Sequence, residues 1–240
     1  TGTSGGTTGT ASSEQVRGVV DIVATENFGQ GEAAGTGIIL TSNGRVLTNN
    51  HVVEGSTSLE VTDLSTGKTY EATVVGTSPT NDVAVIQLKD ASGLATATLG
   101  DSDTVSVGDA VTGVGNAGNE PGTSASTGVV TALGQSITAS DQGGGNAEDL
   151  TGLIQTNAGI RAGDSGGPLY DASGKVVGVD TAAQTSARSG QTVAGYAVPI
   201  NHALDIAEQI VAGVDNETIH QGVPAFLGVL ASTRGPIAAK

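Results

Sequence analysis

The sequence predicts an all-β fold, a barrel or a sandwich, followed by a single late helix. Short apolar runs alternate with turn signals rich in Gly, Asn, Asp and Ser along most of the 240 residues, a pattern typical of many short strands. Glycine is abundant, with 38 residues, and the core must be aliphatic because the chain has 2 Phe, 3 Tyr and no Trp. Only one segment repeats apolar residues at helical spacing, which argues against a fold of alternating strands and helices.

Twelve short strands are predicted after an opening segment, residues 1–13, that contains only Thr, Gly, Ser and Ala and is therefore expected to be a flexible linker. Each strand is an apolar run bounded by turn residues. The strands lie at 19–24, 37–41, 46–49, 58–62, 70–76, 83–88, 110–114, 128–133, 153–156, 169–170, 176–181 and 195–199. They divide into two six-stranded units, one over 14–95 and one over 96–200, which meet near 91–100.

The late helix is predicted over 201–213. Asn201 can cap its start, and Gly213 can end it. The apolar stripe at helical spacing consists of Ala203, Leu204, Ile206, Ala207, Ile210 and Val211. The remaining residues, 214–240, are expected to form a tail.

The charge balance argues against several classes of partner. The chain has 9 basic and 24 acidic residues, a formal net charge of -15, and the basic residues are scattered. Without a basic cluster, binding to nucleic acid or to an anionic membrane surface is not expected. No apolar run approaches the ~18 residues of a membrane span, so no stable membrane insertion is expected. The absence of cysteine excludes disulfides, a thiolate nucleophile and Cys-type zinc sites.

The stretch Gly-Asp-Ser-Gly-Gly-Pro-Leu at 163–169 is the most informative motif. A serine held among glycines has an accessible hydroxyl, which makes Ser165 a candidate nucleophile. Gly163 has no Cβ, so its N–H can turn beside that of Ser165. Two such N–H groups can hold the negative oxygen of a tetrahedral intermediate. The other interpretation of the motif is a glycine-rich β-turn.

A serine nucleophile needs a general base, and the base needs a carboxylate that orients it. Among the three histidines, His51 follows an apolar strand at the start of a loop, whereas His202 and His220 are expected at the surface. Asp82 heads the apolar run 83–88. Taken alone, His51 and Asp82 would each more often be structural. Their order along the chain with Ser165, however, is one in which Ser-His-Asp triads occur.

These motifs together resemble the HtrA/Deg serine proteases, and most closely the secreted actinobacterial, PepA-like branch. The segments that carry the resemblance are 34–39, 47–53, 81–85 and 163–169. A run similar to Gly-Leu-Ile-Gln at 152–155 precedes the serine motif in that branch. The likeness covers roughly 19–228. It implies a chymotrypsin-like fold of two six-stranded antiparallel β-barrels with one C-terminal helix.

The resemblance also implies the roles of the site residues. His51 is the base, Asp82 orients it, Ser165 is the nucleophile, and the N–H groups of Gly163 and Ser165 form the oxyanion hole. Five further residues are expected to bind the substrate: Gly159 and Ile160 in the wall of the P1 pocket, and Thr181, Ala182 and Ala183 along an edge that pairs with the substrate main chain. Because Gly159 and Ile160 are uncharged, a small aliphatic P1 residue is expected.

The sequence therefore predicts a serine endopeptidase that cleaves unfolded or extended polypeptides through an acyl-enzyme, with no metal and no other cofactor. The expected location is outside the cytoplasm, either secreted or in the cell envelope. HtrA relatives often trimerise through N-terminal aromatic residues. Since Phe28 is the only aromatic residue before Tyr70, a monomer is favoured over a trimer.

The chain departs from the family pattern at two places. Most HtrA members have Asn where Asp164 stands, whereas trypsin-like zymogens keep an Asp that pairs with a new N-terminus. If Asp164 is buried it needs a partner, for which Arg161 is the first candidate; otherwise it lies in solvent. The segment 224–229 resembles the start of the family's PDZ domain, but 11 residues follow Val229. The chain is accordingly expected either to be trimmed or to lack that domain.

Four alternative interpretations compete with this hypothesis. The first is a protease-like fold that binds peptides without cutting them. The second is an α/β-hydrolase elbow at Ser165, in which Asp180 or Asp205 with His202 or His220 would complete a triad. The third is a dinucleotide site at the Gly-x-Gly-x-x-Gly motif of 113–118, although no helix is predicted after it. The fourth is calcium binding by the acidic loop 141–149, whose spacing fits no EF-hand and favours a solvated loop.

Overall fold

The computed structural model describes residues 7–26, 31–116, 123–140, 147–185 and 192–222. Over these ranges the chain forms fourteen strands, two α-helices and two short 3₁₀ turns. The strands are β1 (Thr8–Thr10), β2 (Val19–Glu26), β3 (Gly31–Ile39), β4 (Arg45–Thr48), β5 (Ser56–Asp63), β6 (Thr69–Ser78), β7 (Val83–Leu88), β8 (Ala110–Gly115), β9 (Ser124–Ser140), β10 (Ala147–Thr156), β11 (Pro168–Asp171), β12 (Val176–Thr185), β13 (Thr192–Pro199) and β14 (His220–Gln221). The helices are α1 (Asn50–Val53) and α2 (Ile200–Val211), and the 3₁₀ turns are Pro79–Asn81 and Ser102–Thr104.

Six strands of the N-terminal half form a closed antiparallel barrel. Their hydrogen-bonded order is β6-β5-β2-β3-β4-β7, and the pairing of β6 with β7 closes the ring. Side chains alternate between the two faces of a strand, so β2 buries Val20, Ile22 and Ala24 inside the barrel. The first of the two predicted six-stranded barrels is thereby confirmed.

The second sheet has the strand order β1-β9-β10-β13-β12-β11-β8, and β8 pairs with β9 as well as with β11. Strands β9 and β10 extend well beyond the predicted runs 128–133 and 153–156. Their outer parts are largely polar, so apolar periodicity does not reveal them; they pair with each other from Ala147 opposite Ser140 onward. A second closed six-stranded barrel stays a prediction.

Two edge strands lie in segments that were not expected to fold. Thr8–Thr10 lies within the predicted linker 1–13, which is therefore wrong for these three residues because they pair with Ser124–Ser126 of β9. His220–Gln221 lies in the predicted tail and pairs with β6. Such short edge strands bury little, so the sequence has no apolar pattern there to detect. Phe28 and the PDZ-like segment 224–229 lie outside the described residues.

Helix α2 packs across both sheets. Its apolar face, formed by Ile200, Ala203, Ile206, Ala207 and Ile210, is buried in a core that also contains Val83 and Val85 of the barrel and Val198 of the second sheet. The helix begins at Ile200 after Pro199 and ends at Val211, against a prediction of 201–213.

Asn201 does not cap this helix. Its side chain instead contacts the Ser102–Thr104 turn, donating to Asp101 Oδ1 at 2.8 Å. Among the described residues, no helix has the length and apolar character needed to cross a membrane.

Candidate active site

His51 lies in the one-turn helix α1, which follows barrel strand β4. Its neighbours Asn50, Val52 and Val53 are buried, so the barrel core fixes the helix on both sides of His51. The His51 side chain itself is 28% exposed. The imidazole can therefore be held by the protein on one side and reach an incoming molecule on the other.

Asp82 faces His51 from the turn that precedes β7, where its left-handed φ of 50° is a conformation that aspartate tolerates. Asp82 Oδ2 lies 2.9 Å and Oδ1 3.0 Å from His51 Nδ1, and Oδ1 also accepts the main-chain N–H of His51 at 3.1 Å. A carboxylate can only accept hydrogen bonds. The proton of a neutral imidazole therefore sits on Nδ1, which leaves the Nε2 lone pair able to accept a proton.

Thr181, near the middle of β12, contacts both Asp82 and Ser165. Its hydroxyl donates to Asp82 Oδ2, and its main-chain carbonyl accepts from Ser165 Oγ at 3.3 Å. The side chain is buried, so these contacts are shielded from water. The barrel carries His51 and Asp82, and the loop before β11 carries Ser165. Thr181 of β12 contacts Asp82 and Ser165, so the three residues predicted as a triad lie close together. The sequence analysis assigned Thr181 only to substrate pairing and missed its contact with Asp82.

Asp164 is buried directly beside Ser165, not exposed to solvent. Its Oδ2 accepts the main-chain N–H of Arg161 at 2.9 Å, and its Oδ1 accepts from Ser124 Oγ at 3.2 Å. Arg161 therefore contacts Asp164 as predicted, but through its main-chain amide, while its side chain is exposed. The carboxylate thereby closes the turn 161–164 that leads into the serine motif.

A second buried carboxyl group, that of Asp180 in β12, lies behind the serine motif. Asp180 is fully buried, and neither carboxyl oxygen has a hydrogen-bond partner among the residues that the structure describes. Burial, together with the nearby charge of Asp164, raises the pKa of Asp180 well above its usual value. A Cβ at Gly113 would lie 2.7 Å from Asp180 Oδ2, so β8 needs glycine there. The sequence named Asp180 only as a candidate acid of the alternative α/β-hydrolase triad, although an Asp within the apolar run 176–183 also indicates a buried carboxyl group.

The residues predicted to bind substrate lie on both sides of Ser165. The Gly159 carbonyl accepts from Ser126 Oγ at 3.2 Å, and the Ile160 side chain is 1% exposed and packs against Gly195. Ala182 and Ala183 pair with β13 along one edge of β12. On the other edge, strand β11 pairs only as far as Val179, so no described strand covers the edge at Ala183.

The structure contradicts one of the other interpretations of the motifs and describes only part of the segments behind two more. The strand β11, not a helix, follows Ser165, which contradicts the α/β-hydrolase elbow. In the Gly-x-Gly-x-x-Gly motif, residues 113–115 belong to strand β8, and the remainder extends beyond the described range. The loop 141–149 also lies mostly outside it, with 147–149 in β10. In the described ranges, no group of three or more His, Cys, Asp or Glu residues could hold a metal ion.

Comparisons with known proteins agree on one family. A family model described as a trypsin-like peptidase domain matches residues 35–179. The chain is similar to "Periplasmic serine endoprotease DegP" of Escherichia coli (strain K12), with 37% identity over 180 residues, which is 75% of this chain and 36% of that protein. It is also similar to "Serine protease PepD" of Mycobacterium tuberculosis, with 34% identity over 205 residues, 80% of this chain and 44% of that protein. The chain spans less than half the length of these two curated relatives.

A solved structure also matches the fold of this chain. The chain superimposes on a structure described as "HtrA-type protease AlgW with tripeptide" with a TM-score of 0.70 and 31% sequence identity. The match covers 85% of this chain and 64% of that one. The likeness therefore includes both the barrel and the second sheet.

Proposed function

Because the chain belongs to the trypsin-like peptidases, and within them to the serine proteases of the HtrA/Deg type, we propose that His51, Asp82 and Ser165 form its catalytic triad. Ser165 Oγ attacks the carbonyl carbon of the scissile peptide bond, and His51 Nε2 accepts its proton. His51 then donates that proton to the leaving amine, and water hydrolyses the acyl-enzyme. Asp82 keeps the imidazole in the Nδ1-protonated tautomer and stabilises the imidazolium that forms.

The observation that carries the proposal is the double contact between Asp82 and His51. One carboxylate accepts both the ring Nδ1–H and the main-chain N–H of His51, so rotation of the ring would break a partly buried contact. The N–H groups of Gly163 and Ser165 are the proposed oxyanion hole, where two main-chain donors stabilise the charge that develops on the substrate oxygen.

The exposed edge of β12 supports an extended polypeptide as the substrate. Ala183 lies on the edge that no described strand covers, two residues after Thr181, which contacts the proposed triad. A substrate strand added there would bring its scissile bond near Ser165. The proposed P1 pocket involves Gly159 and Ile160. Because the buried Ile160 side chain fills space against Gly195, the pocket favours a small aliphatic residue.

The remaining features of the whole protein are also proposals. The similar protein DegP is described as a periplasmic endoprotease, which supports a location outside the cytoplasm for this chain. Membership of the PepA-like branch, closure of the second sheet into a six-stranded barrel, a monomeric state and the absence of any cofactor rest on the sequence arguments alone.

The proposal is tested by replacing the nucleophile. Ser165→Ala should lower kcat for casein cleavage by about 10⁶ and abolish labelling by a fluorophosphonate probe, because no hydroxyl remains to attack. Ser173→Ala is the matched control, since Ser173 lies exposed in the turn between β11 and β12. Casein cleavage that persists in a pure Ser165→Ala preparation would rule the triad out. A wild-type chain that binds casein but neither cleaves it nor reacts with the probe would instead be the silent peptide-binding module.

A further inference from the structure

A residue of the N-terminal barrel, Thr36 in β3, contacts the loop that carries the proposed nucleophile. Thr36 is fully buried. Its main-chain N–H donates to the carbonyl oxygen of Ser165 at 2.8 Å, and its hydroxyl donates to the carbonyl oxygen of Gly163 at 2.7 Å. One barrel residue thus holds the carbonyls of both residues whose N–H groups form the proposed oxyanion hole.

Thr36 is itself held in place from both halves of the molecule. Its hydroxyl accepts the main-chain N–H of Asn116, which follows β8, at 3.2 Å. Its carbonyl oxygen accepts from Thr48 Oγ1 of β4 at 2.7 Å. The carbonyl also lies so close to Gly166 that a Cβ there would be 2.1 Å away. The hydroxyl therefore has a fixed direction, because its lone pair is used by Asn116 and its proton by Gly163.

The two carbonyls lie on either side of the peptide unit that carries the Ser165 N–H. The Gly163 carbonyl belongs to the unit before it and the Ser165 carbonyl to the unit after it. Because Thr36 holds both carbonyl groups, the peptide unit between them has little freedom to rotate. Gly163 has a φ of +96°, and glycine alone would let this part of the chain rotate freely. The contacts from Thr36 restrain this rotation from outside the loop, in addition to the contacts that Asp164 makes within it.

We propose that Thr36 is a positioning residue, whose hydroxyl holds the oxyanion loop, residues 161–167, in its working shape from the opposite half of the molecule. The inference rests on the proposed function. Thr36 does not touch the substrate or the reacting atoms; it acts through Gly163 and Ser165. Because oxyanion donors act mainly in the transition state, loss of the hydroxyl should lower kcat and leave KM nearly unchanged.

The test compares four substitutions, of which Thr36→Ala is the second variant without a hydroxyl. Thr36→Val keeps the shape and removes the hydroxyl, and Thr36→Ser keeps the hydroxyl. Thr77→Val makes the same change at a buried threonine of β6 whose hydroxyl has no partner among the described residues. Each protein is titrated with a fluorophosphonate to count reactive sites. The labelling rate, and kcat and KM for fluorescein-labelled casein, are then expressed per reactive site.

Thr36→Val is expected to lower kcat per reactive site and the labelling rate by about 10- to 100-fold, with KM within about twofold, because a donor displaced by about 1 Å costs that much. Thr36→Ser should recover the wild-type rate to within about threefold, and Thr77→Val should match the wild type. The pH midpoint of the labelling rate should not move in Thr36→Val, because the contact between His51 and Asp82 is untouched.

Three results would overturn the inference while leaving the proposed function intact. One is a wild-type rate per site in Thr36→Val, even if its melting temperature falls. Another is a Thr36→Ser chain as slow as Thr36→Val, which would assign the effect to packing of the methyl group. The third is failure of both Thr36→Val and Thr36→Ala to fold, which would make the hydroxyl a folding requirement. A wild-type chain that the probe does not label would overturn the proposed function itself.

Discussion

Thr181 uses both its side chain and its main chain in the site, although it is not one of the predicted triad residues. Its hydroxyl donates to the carboxylate of Asp82, and its carbonyl accepts from Ser165. A buried carboxylate is costly unless each oxygen is satisfied, and Thr181 supplies one of the donors that Asp82 needs. The position of β12 relative to the barrel therefore determines whether the acid of the proposed triad is stabilised.

At Asp180, by contrast, the two carboxyl oxygens have no partner in the described part of the chain, and burial favours the neutral form. The titratable groups on the elements around it are Asp164 and Arg161 in the preceding loop, Tyr170 and Asp171 on β11, and Tyr196 on β13. Of these, the charge of Asp164 acts with burial in raising the Asp180 pKa.

We expect Asp180→Asn to remove a pH-dependent loss of stability. Because folding raises the pKa of Asp180, its contribution to the free energy of unfolding is fully present below the ordinary pKa of about 3.9 that it has in the unfolded chain. As pH rises above that value, the unfolded chain releases the proton first, and stability falls until pH passes the folded-state pKa. Asn cannot titrate, so the melting temperature of Asp180→Asn minus that of the wild type should increase from pH 4 to pH 8.

Thermal melts followed by circular dichroism check this expectation. Each kcal/mol corresponds to about 2–4 °C for a chain of this size. Asp205→Asn on the exposed side of α2 is the control and should follow the wild type at every pH. Parallel curves for Asp180→Asn and the wild type would show that the group does not titrate in this range.

Helix α2 is the element that ties the two sheets together. Its buried face packs against β7 and β6 of the barrel and against β12 and β13 of the second sheet. The Gln221 side chain donates to the carbonyls of Ile210, in the last turn of the helix, and of Val214, just beyond it, at 3.0 and 2.7 Å, so it holds the chain after the helix against the last turn. The apolar stripe predicts this helix well because its spacing reflects burial along one face.

Ile206→Ala should destabilise the protein by about 2–5 kcal/mol, because the removed side chain leaves a cavity in the shared core. Urea unfolding followed by far-ultraviolet circular dichroism measures the loss. Val211→Ala, on the partly exposed side of the same helix, should change stability by less than about 0.5 kcal/mol. Equal losses for the two variants would mean that the helix is not anchored through this face.

Some features of the whole molecule could be predicted from the sequence, and others could not. Local motifs predicted that His51, Asp82 and Ser165 belong together, because each motif has its own turn chemistry and their order is diagnostic. The contacts of Thr36, the full burial of Asp180 and the second role of Thr181 were not predicted, because each depends on packing between separate segments of the chain. The edge strands β1 and β14 were missed for a different reason, namely that short polar strands have no apolar period.

The net charge of -15 should affect substrate capture. An acidic molecule attracts cationic peptides and repels anionic ones, and salt screens both effects beyond about 10 Å at 0.1 M. For two peptides that share a cleavage site but carry +4 and −4 charges in their flanks, raising NaCl from 20 to 500 mM should lower kcat/KM severalfold for the first and raise it for the second. Identical salt dependence for both peptides would contradict the expectation.

The apolar core that α2 shares with both sheets also affects how readily a protease can cleave this chain. With the proposed function, each molecule meets other copies of itself, and its own chain becomes a substrate whenever one half opens into an extended form. Because residues of both halves contribute to one apolar core around α2, one half cannot open without exposing part of the buried surface of the other. Opening is then nearly as costly as complete unfolding, and cleavable states are correspondingly rare. Self-digestion should therefore follow the global unfolding equilibrium and start to matter only near the melting temperature.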